Sequence, residues 1–200
     1  GWSPKSGENE IQSLEELSKT FDLADVNKAG AKFNWEKLNW INSQYIKNMD
    51  SYELFNIFKI IWEKQEWGIP SQQWGLNLTL LIKDSIIVLR DVIDQSEPFF
   101  KLPDVDKKSA EFLKNNHVKS LLKDVINLLS EKNQTIDLNN AKEIIEEIST
   151  KYKIKKVILL KSLRIAFFGC LNGPDLIKSW LLLSQKGEDI SRIQRCLDII

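Results

Sequence analysis

The chain concentrates positive charge where its overall balance gives no sign of it. Between Lys151 and Arg164 six basic side chains (Lys151, Lys153, Lys155, Lys156, Lys161 and Arg164) occur with no acidic one, although Lys+Arg and Asp+Glu stand at 28 each over the 200 residues. Such a run is a candidate phosphate-binding surface, because ammonium and guanidinium groups displace the condensed counterions of a nucleic-acid backbone. The apolar stretch Ile165 to Phe168 then stops at Gly169, and Gly173-Pro174 marks a turn before the next helical pattern. A basic helix opening onto such a turn can present Arg164 and backbone groups to a ligand. Upstream, Lys37 and Trp40 sit three apart in WEKLNW and share a helix face, which can offer an ammonium to phosphate and a ring to a ribose.

No catalytic constellation accompanies them. The sequence has no glycine-rich phosphate loop, no Ser or Cys beside a recognisable base and no metal-ligand spacing, so neither a catalytic residue nor a metal site is expected. The sole histidine, His117, reads as structural or surface, and Cys170 and Cys196 as buried small side chains. Residues 1–100 hold 10 basic and 15 acidic side chains and residues 101–200 hold 18 and 13, a swing from −5 to +5. A nucleic-acid partner would meet mainly the second half; ordinary surface variation is the competing explanation. No run reaches the roughly 18 to 20 apolar residues of a membrane span, and GWSPKSGENE lacks a signal pattern, so a cytoplasmic protein is expected.

Helices must position these groups. A loop-like opening with Pro4 and Gly7 leads to a capping box, Ser13-Leu-Glu-Glu16, that starts a short helix to about Phe21. After a polar connection from Asn27 to Ala31, Asn34 caps a helix from Trp35 to Ile46, and Asp50 and Ser51 start a third. That helix has the apolar face Leu54, Ile57, Phe58, Ile61 and Trp62 and ends at Gly68-Ile-Pro70. One long helix is expected from Ser71 to about Ser96. Pro98, Pro103, Asp104 and Asp106 mark a junction. Beyond it, helices are expected near Ser109–Asn115, Val118–Glu131, Leu138–Tyr152, Val157–Phe168, Asp175–Gln185 and Ile190–Ile199. Strand-like alternation is absent, so the fold class is all-α, in two helical subdomains. Trp35, Trp62, Trp67 and Trp74 are expected to pack inside, while Trp40 divides between core and contact roles.

Two segments carry a family resemblance. LRIAFFGCLNGPDL, followed by SWLLLSQKG, resembles the C-terminal end of bacterial glutamyl-tRNA synthetases, where L-R-x-A-L-T-G precedes a small-residue turn and a leucine. FDLADVNKAGAKFNWEKLNWINSQYI, from Phe21 to Ile46, is similar to that family's F-D-L-x-x-V-x-K-[SA]-x-A-x-F-D-W-x-K-L-x-W-x-N-x-x-Y-I. Between them DSIIVLRDVIDQSEPFF resembles the family's central helix, so the likeness runs from GWSP to the final helix, at pattern level outside the two motifs.

The resemblance implies the helical-cage anticodon-binding fold of a class I synthetase. It divides the chain into a stem-contact region (1–48) and two anticodon-binding helical subdomains (49–103 and 104–200). Arg164 falls on the family arginine that contacts anticodon bases, and Gly173, Pro174 and Leu176 on the turn against which bases pack. The residue-level alternatives are a helix-surface pairing for Arg164 and a plain turn for Gly173-Pro174. Lys37 and Trp40 match stem contacts, and Lys155 and Lys156 are expected to hold phosphates. The H-I-G-H-type and K-M-S-K-S-type signatures are missing, so ATP, with Mg, belongs to an upstream catalytic domain and this chain needs no cofactor. Expected partners are the glutamate tRNA and, through relaxed discrimination, the glutamine tRNA, with no DNA or membrane, bound by a monomer. The last expectation rests on a departure: Ser85 stands where discriminating members carry an arginine that reads the third anticodon base. The competing functional readings are a free-standing helical protein-interaction module and a non-specific RNA-binding module.

Overall fold

The computed structural model describes residue 2 and residues 10–30, 32–114, 117–132 and 135–199, with the side chain of 132 left aside. The expected loop at Pro4 and Gly7, and the ends of two expected segments at Ala31 and Asn115, lie outside the described residues. Eleven α-helices and no strand occur among those residues. The Ser13–Glu16 capping box starts α1 (Leu14–Thr20), with a 3₁₀ turn at Leu23–Asp25 behind it. Asn34 caps α2 (Trp35–Asn48), the Asp50 carboxylate accepts the Tyr52 and Glu53 amides to start α3 (Ser51–Lys64), and Ser71 caps α4 (Gln72–Ile82). These side-chain oxygens satisfy amides that have no partner within the helix, which is why the starts are legible in sequence.

The long helix expected from Ser71 to Ser96 does not form. α4 ends at Ile82, a 3₁₀ turn covers Lys83–Ser85, and α5 runs from Asp91 to Phe100. Ile86 adopts an extended backbone and buries its side chain completely. The Asp91 carboxylate then accepts the amides of Ile87 (3.0 Å) and Val88 (2.9 Å). A β-branched run followed by an aspartate that captures backbone amides favours this turn over helix continuation. Pro98, expected at the junction, lies inside α5, and the break comes at residues 101–106.

The second group comprises α6 (Lys107–Leu113), α7 (Val118–Lys132), α8 (Leu138–Lys151), α9 (Lys156–Phe168), α10 (Leu176–Gln185) and α11 (Asp189–Ile199). Its apolar faces join those of α3 to α5 in a continuous core. The three fully buried tryptophans each tie two elements with the indole N–H. Trp62 donates to Ser96 Oγ (2.8 Å), Trp74 to the Leu182 carbonyl (2.8 Å) and Trp180 to the Asp189 carboxylate (3.2 Å). An unpaired indole N–H would cancel part of the gain from burying such a ring, and here each of the three finds a partner.

A polar cluster locks the groups together. Arg192, only 3% exposed, donates from Nη1 to the carbonyls of Pro98 (2.7 Å) and Phe167 (2.8 Å), in the last turns of α5 and α9. Its Nη2 pairs with Glu188 at 2.7 Å. Lys186 donates to the Phe99 carbonyl (2.8 Å), pairs with Glu188 (2.6 Å) and lies 5.5 Å from the Phe100 ring centre. Last-turn carbonyls are the unpaired, electronegative end of a helix, so buried cations there meet both needs. Burial works against the Glu188 charge, but hydrogen bonds from Lys186 and Arg192 outweigh it and hold the carboxyl below its ordinary range.

Gly169 ends α9 at φ +68°, where a Cβ would lie 2.2 Å from the Asp104 carbonyl oxygen. The Asp106 amide donates to the Gly169 carbonyl at 2.9 Å, which keeps the 101–106 segment against that helix end. Gly187 has nearly the same φ, +70°, with nothing within 4 Å of its Cβ position. Gly187→Ala should therefore cost about 1–2 kcal/mol from backbone conformation alone, while Gly169→Ala costs clearly more; urea denaturation of both separates strain from clash. Arg192→Ala leaves two buried carbonyls and Glu188 short of a partner, so its unfolding free energy should fall by about 3 kcal/mol or more in the same assay.

Candidate nucleic-acid interface

Gly169 turns the chain out of α9, and residues 170–175 bring it back so that the Asp175 carboxylate caps α10 through the Lys178 amide (2.9 Å). This return puts the Pro174 carbonyl within reach of Arg164, whose Nη1 donates to it at 2.8 Å. Gly173, at φ +146°, passes so close that a Cβ would sit 3.0 Å from the same nitrogen. Arg164, Gly173 and Pro174 are thus brought together. Leu176, in the first turn of α10, is 7% exposed and belongs mainly to the core.

Arg164 is half-buried and forms no ion pair among the described residues. Burial pulls its pKa below the ordinary arginine value, opposed by the neighbouring Cys170 and Asp175. Arginine remains a cation in any case. With one nitrogen fixed on a carbonyl, the planar group is oriented and its other N–H donors are left over, which suits it to stack on a base or bond a base edge. Cys170 is half-buried rather than buried, and its thiol donates to the Asn172 carbonyl (3.1 Å) inside the turn. Cys196 is buried, which pushes its thiol up to about 11.

Ser85 ends the 3₁₀ turn after α4 and is exposed. Asn42 of α2 donates its side-chain amide to the Ile87 carbonyl just beyond, so the stretch carrying Ser85 is fastened to the first region of the chain. The basic run is less uniform than its sequence. Lys151 pairs with Asp124 at 2.6 Å, Lys156 pairs with Glu146, and Lys161 lies 6.0 Å from the Phe112 ring centre. Lys155, at the exposed start of α9, forms no ion pair among the described residues. Exposed pairs are worth roughly 0–1 kcal/mol, so Lys156 can exchange its partner for a phosphate at small cost.

On α2, Lys37 pairs with Glu10 at 2.8 Å and Trp40 is 47% exposed, which favours a contact role over a core one. Trp35 departs from expectation. It is 69% exposed and packs edge-on to Phe33, with ring centres 4.8 Å apart. Only Ser43 and Ile46 of α2 are buried, so the N-terminal end of the helix has no core to enter. Trp62, Trp67 and Trp74 are buried as expected, and His117 is exposed. No group of three or more His, Cys, Asp or Glu able to hold a metal occurs among the described residues, nor any helix long and apolar enough to cross a membrane. The residues that sequence reasoning missed are Lys186, Glu188 and Arg192. Their only sequence signal is the i, i+4 Glu188–Arg192 spacing, which usually denotes a surface pair.

Known proteins resemble this chain in sequence and in fold. A family model described as an anticodon binding domain matches residues 35–197. Glutamate–tRNA ligases of Prochlorococcus marinus strains MIT 9312 and MIT 9215 are 56% and 57% identical over 201 and 202 residues, covering 100% of this chain and 42% of each relative. A crystal structure of a glutamate tRNA ligase from Elizabethkingia meningosepticum in complex with its amino acid matches with TM-score 0.89 and 27% identity, over 99% of this chain and 39% of that one. The glutamate-tRNA synthetase of Elizabethkingia anophelis matches with TM-score 0.78, also at 27% identity, over 38% of its length. The chain spans less than half the length of the curated relatives it matches and corresponds to their C-terminal part. With the match running from α2 through nearly all of α11, the chain belongs to the anticodon-binding domain family.

Proposed function

We propose that this chain is the tRNA-holding region of a glutamate–tRNA ligase, in which Arg164 reads the anticodon of the glutamate tRNA. The observation that carries the proposal is the half-buried guanidinium fixed on the Pro174 carbonyl at 2.8 Å, beside a glycine whose Cβ position would lie 3.0 Å from the same nitrogen, in a member of an anticodon-binding family. On this reading residues 1–48 touch the tRNA stem, with Lys37 and Trp40 as contacts, and residues 49–103 and 104–200 enclose the anticodon loop. Gly173 and Pro174 form the turn that bases pack against, with Leu176 backing it from the core side at the start of α10, and Lys155 and Lys156 hold phosphates. The exposed Trp35, Trp40 and Phe33 are rings available to the tRNA body or to the part of the ligase beyond this chain, rather than the mark of a free-standing module. Glutamate activation, with its ATP and Mg, belongs to that other part, and this chain requires no cofactor. The whole acts as a cytoplasmic monomer.

Arg164→Ala should weaken binding of the glutamate tRNA by about 1–3 kcal/mol while leaving an anticodon-substituted tRNA unaffected. Lys155→Ala should weaken all tRNAs alike and reduce the salt slope by about one. Fluorescence titration at several salt concentrations distinguishes the two, and equal loss on every tRNA for Arg164→Ala would contradict its assigned role.

Ser85 cannot supply the cationic fork with which an arginine reads a base. Third-base discrimination is accordingly relaxed, and the chain binds glutamate and glutamine tRNAs comparably. Paired titrations should agree within a few fold; a preference of about tenfold for the glutamate tRNA, roughly 1.4 kcal/mol, would overturn this part of the reading.

A further inference from the structure

Glu188 and Asp189 are adjacent carboxylates in opposite circumstances. Glu188 takes both nearby cations, Lys186 at 2.6 Å and Arg192 at 2.7 Å. Asp189, the first residue of α11, is 6% exposed and forms no ion pair among the described residues. One of its oxygens accepts the Trp180 indole N–H at 3.2 Å, and the other has no hydrogen-bond partner among those residues. A neutral donor holds the side chain without balancing its charge, and a carboxylate buried this far calls for a cation. The start of α11 supplies only the partial positive charge of a helix N-terminus.

Asp189 lines an open cleft of about 380 Å³ where the end of α7, the segment leading into α8 and the α10–α11 turn meet. Ser130 and Thr135 place hydroxyl groups there, and Leu129 and Ile190 supply apolar surface. Ser130 Oγ donates to the Ile126 carbonyl at 2.8 Å, so what it has left for a ligand is its acceptor lone pairs. Ser184 Oγ accepts the Ile136 amide at 3.2 Å, which pins the segment before α8 to the end of α10. The cleft and the Arg164–Pro174 contact stand at opposite ends of α10, a helix of 10 residues and so roughly 15 Å long. The donor set selects among cations. One carboxylate and a few hydroxyls fall short of the roughly six to eight oxygens that calcium takes and of the octahedron of magnesium. A primary ammonium needs three acceptors, and the methylenes behind it gain from apolar walls. We propose that this cleft binds a primary alkylammonium group, with Asp189 as its counter-ion, Ser130 and Thr135 as further acceptors, and Leu129 and Ile190 against its methylenes. A free amine and a lysine side chain share that chemistry.

The test is titration of the isotope-labelled chain with n-butylamine at neutral pH and physiological ionic strength, followed through its amide chemical shifts. Shifts at Gly187, Asp189 and Ile190 should saturate with butylamine and stay unchanged with tetramethylammonium, which has the charge but no N–H donor. Asp189→Asn keeps an oxygen for the Trp180 indole while removing the charge, and should weaken butylamine binding about tenfold or more. Thr135→Val, at an exposed position, should weaken it about threefold, and decides the matter alone if Asp189→Asn does not fold. Titration with Nα-acetyl-lysine N-methylamide separates the two sources: binding fits a lysine side chain of a partner protein, and rejection with butylamine still bound fits a free amine. Absence of saturation, equal shifts with tetramethylammonium, or parent-like butylamine binding by the folded Asp189→Asn chain would overturn the proposal.

Discussion

The Arg192 guanidinium is the constraint on which the rest of the structure depends. Two helices from different parts of the chain, α5 and α9, end facing the same point, and each leaves carbonyl oxygens there without a helical partner. One buried cation answers both, at 2.7 and 2.8 Å, and Glu188 keeps that cation from being an unpaired buried charge. Lys186 repeats the arrangement on the neighbouring carbonyl of α5. The joint is directional in a way that apolar packing is not: a core of Leu and Ile tolerates sliding, whereas donors matched to particular carbonyls fix both helices in register.

The candidate interface inherits its geometry from that joint. Arg164 stands one turn before the C-terminal end of α9, and Phe167, next to that end, is one of the two carbonyls that Arg192 holds. Immediately beyond, Gly169 leaves room for no side chain against the Asp104 backbone and accepts the Asp106 amide, so the exit direction of the chain is fixed as well. The return segment can then place the Pro174 carbonyl on Arg164 without adjustment when a ligand arrives. A guanidinium oriented in advance loses less side-chain freedom on contact than a free surface arginine, the usual benefit of a preorganised site. Apolar burial supplies most of the stability of the domain; the buried cation decides where Arg164 points.

Much of this was legible in the residues. Helix starts were read correctly at Asn34, Asp50 and Ser71 because a capping side chain acts on amides two or three positions away, a local interaction that sequence states directly. Arg164, Gly173 and Pro174 could be singled out because a basic helix, a glycine stop and a Gly-Pro turn are local as well. What failed was non-local. The stretch from Ser71 to Ser96 has the apolar content of one helix, yet Ile86 is drawn into the core and Asp91 captures two amides. Trp35 has the residue type of a core position, but it is 69% exposed, because the buried residues of α2, Ser43 and Ile46, lie toward the other end of the helix. The burial of Arg192 depends on where two distant helices end, and nothing in Arg-Ile-Gln-Arg announces that.

The most direct test of the central claim is a titration of the chain with glutamate tRNA and with the same tRNA carrying a substituted anticodon, at low and moderate salt. Anticodon reading by a preoriented arginine predicts tighter binding of the unsubstituted tRNA at both salt concentrations, since base-edge bonds and stacking are less screened than phosphate contacts. Equal affinity for the two tRNAs, falling together as salt rises, would mean that the chain holds RNA by its backbone charge alone, and would contradict the claim.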